Sequence, residues 1–135
     1  LMVGSGNTEN KVIEKLESLG LSENYKILHN RTDVPELLMA SDAAVFPSIT
    51  EGLGIAVIEM QAAHLPVVVS KGVPQKTKIS NYIEYLDLNV GAECWAEKLT
   101  ELIEKKDSYV LDIREWDIKE SVKHLEMLYN NAINK

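Results

Sequence analysis

The chain lacks much of what several functions require. One cysteine, Cys94, in 135 residues excludes an internal disulfide and points to a reducing compartment. Lys and Arg number 14 against 21 Asp and Glu, a formal net charge of −7. That balance argues against a nucleic-acid backbone as main partner, because phosphate chains are held by clustered cations. It leaves room for a small phosphorylated ligand held by backbone amides. No apolar run reaches bilayer-spanning length, no stretch has signal-peptide form, and no His, Cys or Asp cluster has metal-ligand spacing. Internal repeats, low-complexity tracts and linkers are absent too.

What is present reads as a soluble globular chain, 45% hydrophobic and 26% charged, of a length suited to one domain with one core. The opening LMVGSG looks like the end of a buried strand, so the expectation is a piece of something longer. Helix-like and strand-like segments alternate. Residues 8–19 set Val12, Leu16 and Leu19 on one helical face beside Ile13, with Gly20 as a stop. YKILH (25–29) is a strand candidate, and Asp33-Val-Pro-Glu36 a helix start in which Asp33 and Glu36 have capping-box spacing.

DAAVFPS (42–48) is the next strand, ended by Pro47, and 54–63 a helix apolar on nearly all sides, expected to be deeply buried. LPVVVS is β-branched without alternation, which suits a parallel strand covered on both faces. YIEYL (82–86) is a further short strand. Residues 92–106 form a helix with Trp95, Leu99 and Leu102 inward. A final helix at about 117–133 carries Ile118, Val122, Leu125, Tyr129 and Ala132 in one stripe. This order implies an α/β fold with a parallel sheet and helices on both faces.

Ligands of open parallel sheets bind beyond the carboxyl ends of the strands, and FPSITEGLGIAVIE (46–59) lies at such an end. Gly52 and Gly54 allow close approach of the backbone. The amides of Gly52 to Ile55 would be first-turn donors at the positive end of a helix dipole, a site for an anion. Glu51, a poor neighbour for phosphate, better faces a hydroxyl-rich group beside it. Glu59, about one turn into the helix, suits a vicinal diol such as a ribose. The two glutamates would then grip the two sugars flanking a diphosphate. Blander readings stay open: Glu51 as a helix-start acid gaining roughly 0.3–1 kcal/mol from the dipole, Glu59 on an exposed helix edge, and the glycines as ordinary turn residues.

SDAAVFPSITEGLGIAVIEMQAAHLPVVVS resembles the donor-binding half of glycosyltransferase family 4, retaining enzymes of the GT-B fold. Glu51 and Glu59, separated by seven residues, match that family's paired glutamates. Pro47, Ser48, Gly52, Gly54, Ala62, Ala63 and Pro66 are in step with its pattern. RTDVPELLMASD upstream and WDIKESVKHLEMLYNNA at the close also resemble it, so the likeness spans nearly the whole chain. The wording is most similar to bacterial exopolysaccharide and capsule enzymes.

The resemblance implies a three-layer α/β/α Rossmann-like domain over 1–135, the carboxyl-terminal half of a two-domain enzyme. Glu51 would contact hydroxyls of the donor sugar as the catalytic-site acid, and Glu59 the ribose hydroxyls. The amides of Leu53, Gly54 and Ile55 would bind the diphosphate, the backbone near Asn30 and Arg31 would meet the base, and Ser48 belongs to the same donor-binding set. It implies a nucleotide diphosphate sugar as substrate (uridine type favoured), no cofactor and no metal. It implies hexosyl transfer with retention in surface-polysaccharide synthesis. Membrane contact would come only through a missing amino-terminal acceptor-binding domain, the full-length enzyme being cytoplasmic or peripheral at the inner face of the plasma membrane.

This sequence departs from the family pattern in three ways. His64 stands where the family usually has glycine, which affects a helix end. After strand 66–70 the stretch SKGVPQKTKI has Gly72 alone, with Gln75 or Lys76 near where a third glutamate is usual. The family's Arg and Lys that neutralise the diphosphate leaving group would precede residue 1, so the expectation is weak binding and no catalysis by this piece alone. The rivals are half of a nucleotide-sugar 2-epimerase and a non-catalytic interaction module. Cys94 reads as a packing residue, His29 as structural, His124 as solvated. Lys71, Lys76 and Lys78 read as a wet loop, Trp95 and Trp116 as core or interface anchors.

Overall fold

The computed structural model describes residues 1–105 and 109–133. Where the sequence reading expects one core, the chain divides into two compact units, Leu1–Glu36 and a second beginning at Leu37. In the first, strand β1 (Met2–Val3) pairs in parallel with β2 (Ile27–Leu28), joined by helix α1 (Glu9–Ser18). α1 buries no residue fully: Ile13 and Leu16 are half-buried while Val12 and Leu19 stay exposed. Such a short two-stranded pair with one partly covered helix offers little apolar burial of its own.

Helix α2 (Val34–Met39) begins with Pro35 in its first turn, where a missing N–H costs nothing. The expected Asp33–Glu36 capping box gives way to a different pairing. The Asp33 carboxylate accepts from Arg31 Nε at 2.7 Å and from a second guanidinium nitrogen. That hydrogen bond holds Asp33 below the usual carboxylate range and raises Arg31. A planar guanidinium satisfies both oxygens at once, which a single backbone amide cannot do.

The second unit holds a parallel sheet in the order β3 (Ala44–Phe46), β4 (Val67–Ser70), β5 (Ile83–Leu86). Ala44 is in register with Val67, and Val67 with Ile83. β4 is the central strand, and Val67, Val68 and Val69 are all 0% exposed. Successive side chains point to opposite faces, so β4 feeds two cores. Val67 and Val69 pack with Val57 of helix α3 (Ile55–Ala62), together with Leu65, Val73 and Ile83. Val68 packs with Tyr82 and with Trp95 and Leu102 of helix α4 (Ala92–Glu104). This is the expected α/β/α layering, and each fully buried valine contributes about 1.5–3 kcal/mol.

Two helices differ from expectation. α3 is buried on one face only, through Val57, Ile58 and Gln61, while Ile55, Glu59 and Ala62 are exposed. An all-apolar pattern cannot report that the sheet covers a single side. Helix α5 (Ile118–Ile133) forms as expected, yet its apolar stripe is uncovered among the described residues, Ile118 and Tyr129 being 73% and 62% exposed.

α3 ends in a paired αL turn. His64 adopts φ +63°, its amide donates to Gln61 O at 2.9 Å and the Leu65 amide to Met60 O at 3.1 Å. These are the two bonds of a Schellman stop, whose left-handed residue is usually glycine, which accounts for the family's preference. The His64 ring lies 4.6 Å from that of Tyr109, a contact glycine could not make.

The end of β4 seats the loop after β3. The Ser70 hydroxyl donates to Ser48 O, and the Glu51 amide donates to Gly72 O at 3.1 Å. Gly72 passes so close to this loop that a Cβ there would stand 2.2 Å from Ile49 O. We therefore expect Gly72→Ala to cost about 1–3 kcal/mol in chemical denaturation, with NMR shifts moving first at 48–51. Trp95→Ala should cost about 3–5 kcal/mol, whereas Leu125→Ser on the uncovered stripe should change stability by less than about 0.5 kcal/mol; a large loss at Leu125 would show that α5 is covered in solution.

Candidate donor site at the start of helix α3

The loop from Pro47 to Gly54 joins the carboxyl end of β3 to α3. Within it, Ser48 Oγ donates to Glu51 Oε1 at 2.7 Å and lies 3.1 Å from Thr50 O. Glu51 is half-buried. One of its carboxylate oxygens is thus committed to orienting the side chain, and Oε2 is left for another donor.

Gly54 is the N-cap of α3 in the left-handed region, φ +81°, where glycine alone carries no Cβ penalty. It is buried, and a Cβ built on it would stand 3.5 Å from Val73 Cγ1 and 3.6 Å from Thr77 Cγ2. The left-handed turn swings the chain into α3 so that the amides of Leu53, Gly54 and Ile55 donate to no other described group, while the Val57 amide closes the first turn on Gly54 O at 3.0 Å. A run of unpaired amides at a helix amino terminus attracts an anion through aligned N–H groups and the positive end of the dipole. Gly52 is different: a Cβ there would meet nothing within 4 Å, so packing does not require glycine, and the surface beside it is open.

Glu59 stands one turn into α3 on the exposed face that starts at Ile55, about 6 Å along the axis from it. Among the described residues its carboxylate has no hydrogen bond or ion pair, so both oxygens are available to paired hydroxyls. The fold thus gathers Ser48, Glu51, Gly52, Leu53, Gly54 and Ile55 at one strand–helix junction and sets Glu59 on the adjoining open face. Asn30 and Arg31 lie in the first unit. Asn30 is left-handed, φ +51°, just after β2, and the Arg31 guanidinium pairs with Asp33. His29 Nε2 lies 2.8 Å from Glu9 Oε2.

Other features of the second unit carry charge or apolar surface. A cleft of about 370 Å³ is lined by Lys76, Lys78, Asp112, Arg114 and Trp116. Arg114 Nε donates to Asp112 at 2.9 Å, and this pairing holds the aspartate down to about 2. Among the described residues no three His, Cys, Asp or Glu side chains converge as a metal site. No described helix is long and apolar enough to cross a membrane.

Sequence reasoning passed over Gln61, Ser70 and Tyr109. Gln61 carried a readable signal, a polar residue in phase with the buried positions Val57 and Leu65. Ser70 and Tyr109 carried none, since their partners are backbone carbonyls 22 and 48 residues away in sequence.

The model of the family described as glycosyl transferases group 1 matches residues 1–124. The chain is 35% identical over 71 residues to the UDP-Gal:alpha-D-GlcNAc-diphosphoundecaprenol alpha-1,3-galactosyltransferase of Escherichia coli, covering 52% of this chain and 18% of that protein. It is 34% identical over 94 residues to the lipopolysaccharide glucosyltransferase WaaG of Escherichia coli strain K12, covering 66% and 23%. It is 29% identical over 102 residues to the capsular polysaccharide biosynthesis glycosyltransferase CapH of Staphylococcus aureus, covering 70% and 28%. The chain therefore spans between 18% and 28% of the length of these relatives. The crystal structure of WaaG, a glycosyltransferase involved in lipopolysaccharide biosynthesis, superposes with a TM-score of 0.61 at 24% identity, over 76% of this chain and 28% of that one. The fold is that of the GT-B glycosyltransferases, and the chain belongs to the glycosyl transferases group 1 family.

Proposed function

We propose that this chain is the nucleotide-diphospho-sugar binding part, the carboxyl-terminal half, of a retaining family 4 glycosyltransferase that transfers a hexosyl unit in bacterial surface-polysaccharide synthesis. The observation that carries the reading is the α3 junction: a left-handed Gly54 at a helix amino terminus whose amides at 53–55 have no acceptor among the described residues, with Glu51 before it and, one turn beyond, a Glu59 without a hydrogen bond or ion pair among them. The names of the capsule and lipopolysaccharide relatives support the polysaccharide setting.

Each residue then has a task. The amides of Leu53, Gly54 and Ile55 meet the diphosphate, and the dipole stabilises the charge that grows on it as the glycosidic bond breaks, because fixed donors need no reorganisation. Glu51, oriented by Ser48, offers Oε2 to a hydroxyl of the donor sugar, fixing the sugar over its leaving group. Glu59 takes the two ribose hydroxyls. Uridine diphosphate sugars are the favoured donors, and the reading assigns no metal or cofactor. The acceptor-binding domain, the cations for the leaving group and any contact with the inner face of the plasma membrane are assigned to the rest of a cytoplasmic parent enzyme. The 135-residue chain alone is expected to bind weakly and not to catalyse.

A second reading, an interaction module, has one observation in its favour: Ile49 and Ile55 at the same junction are 84% and 59% exposed. Titration with UDP, GDP and ADP followed by NMR separates the two. The donor-site reading expects one nucleotide to shift residues 51–59, and Glu59→Ala to weaken it about 10- to 100-fold through loss of two charge-assisted bonds. No shift for any nucleotide, or shifts confined to the Lys76–Trp116 cleft, would remove it and leave the module.

A further inference from the structure

Gln61 is completely buried, on the opposite side of α3 from the exposed Glu59, and no step above uses it. Its side-chain amide is fully paired. Nε2 donates to Val57 O at 2.9 Å and to Thr77 O at 2.8 Å. Oε1 accepts from the amides of Ile79 and Ser80 at 3.1 and 3.0 Å and from Ser80 Oγ at 3.0 Å. Its backbone carbonyl takes the Tyr109 hydroxyl. A buried amide is tolerated only when all its groups are paired, and methionine would fill similar volume without that demand. What the amide adds is geometry: it ties the turn at 77–80 to helix α3 at a fixed position.

That turn faces Gly54, the N-cap of α3. Thr77 is bonded to Pro74 O at 2.8 Å and lies 3.0 Å from the Tyr85 hydroxyl, and it presents its methyl to Gly54 alongside Val73. We propose that Gln61 is a positioning residue for the anion site: by holding the Thr77 carbonyl it seats Thr77 against Gly54, and so sets the direction of the amides of Leu53, Gly54 and Ile55. The functional half of this rests on the donor-site reading. The ligand it serves is the diphosphate of a nucleotide, which needs several amides aimed at one group.

The test is Gln61→Glu across pH. Protonated, the new side chain donates to one of the two carbonyls and still accepts on its other oxygen; ionised, it faces both carbonyls without a proton to give. The titratable groups at this network are the phenols of Tyr109 and Tyr85, which burial pushes up so that they stay neutral throughout, and the ring of His64, 4.6 Å from that of Tyr109 and present in wild type as in the variant. At about pH 8 the ligand-free variant should move the NMR shifts of residues 53–55 as well as 77–80, and UDP affinity per folded molecule should fall about tenfold. Both should return toward wild type at about pH 5.5, while wild type shows no such change in its 53–55 shifts.

Movement of 77–80 with 53–55 and affinity unchanged would overturn the proposal. If the ionised variant does not fold, Gln61→Met supplies the same comparison at one pH. If wild-type protein takes no UDP, the donor-site reading fails on its own, and the ligand-free shifts at 53–55 still decide whether Gln61 sets that geometry.

Discussion

The second unit depends on the burial of β4. Val67, Val68 and Val69 have no exposed surface, and a strand in that position must be covered on both faces and paired on both edges. α3 and α4 supply the cover, β3 and β5 the pairing. Because parallel pairing lines up strand ends, the carboxyl ends of β3 and β4 emerge side by side. The Ser70–Ser48 and Gly72–Glu51 bonds follow from that proximity. The position of the Glu51 loop is therefore a consequence of where β4 stops, and the direction of α3 a consequence of what β4 packs against.

The candidate site separates roles that one residue could not combine. Gly54 supplies a conformation, φ +81°, and no chemistry. The amides of Leu53, Gly54 and Ile55 supply donors without any formal positive charge, which suits a chain of net charge −7. Glu51 and Glu59 then carry negative charge beside an anion site without occupying it, the first tethered by Ser48, the second a turn away on an open face. Behind them lies a network of Gln61, Thr77 and Tyr85 in which no buried side-chain polar atom of the described residues lacks a partner.

Much of this was legible in the sequence, for identifiable reasons. VVVS without alternation forecast a doubly covered parallel strand, and β4 is one. Glycines and spaced glutamates after a strand forecast a loop–helix junction, and the fold gathers those residues there. What escaped was decided by partners and faces that local patterns do not name. The Asp33–Glu36 spacing satisfied a local capping rule, yet Arg31, two residues upstream, took the aspartate. α3 read as apolar all round, but composition does not say which face the sheet covers, and Ile55 and Glu59 are open. Gly72 looked like a depleted family motif; its reason is a carbonyl 2.2 Å from where a Cβ would stand. The joint placement of Asn30 and Arg31 with the glutamates was carried by the resemblance alone.

The most direct measurement is a crystal structure of the chain with UDP. The expected result places the diphosphate oxygens about 3 Å from the amides of Leu53, Gly54 and Ile55, with the ribose hydroxyls on the Glu59 carboxylate. A diphosphate seated among Lys76, Lys78 and Trp116, or a ribose with no contact to Glu59, would contradict the central claim that the start of α3 is the donor site.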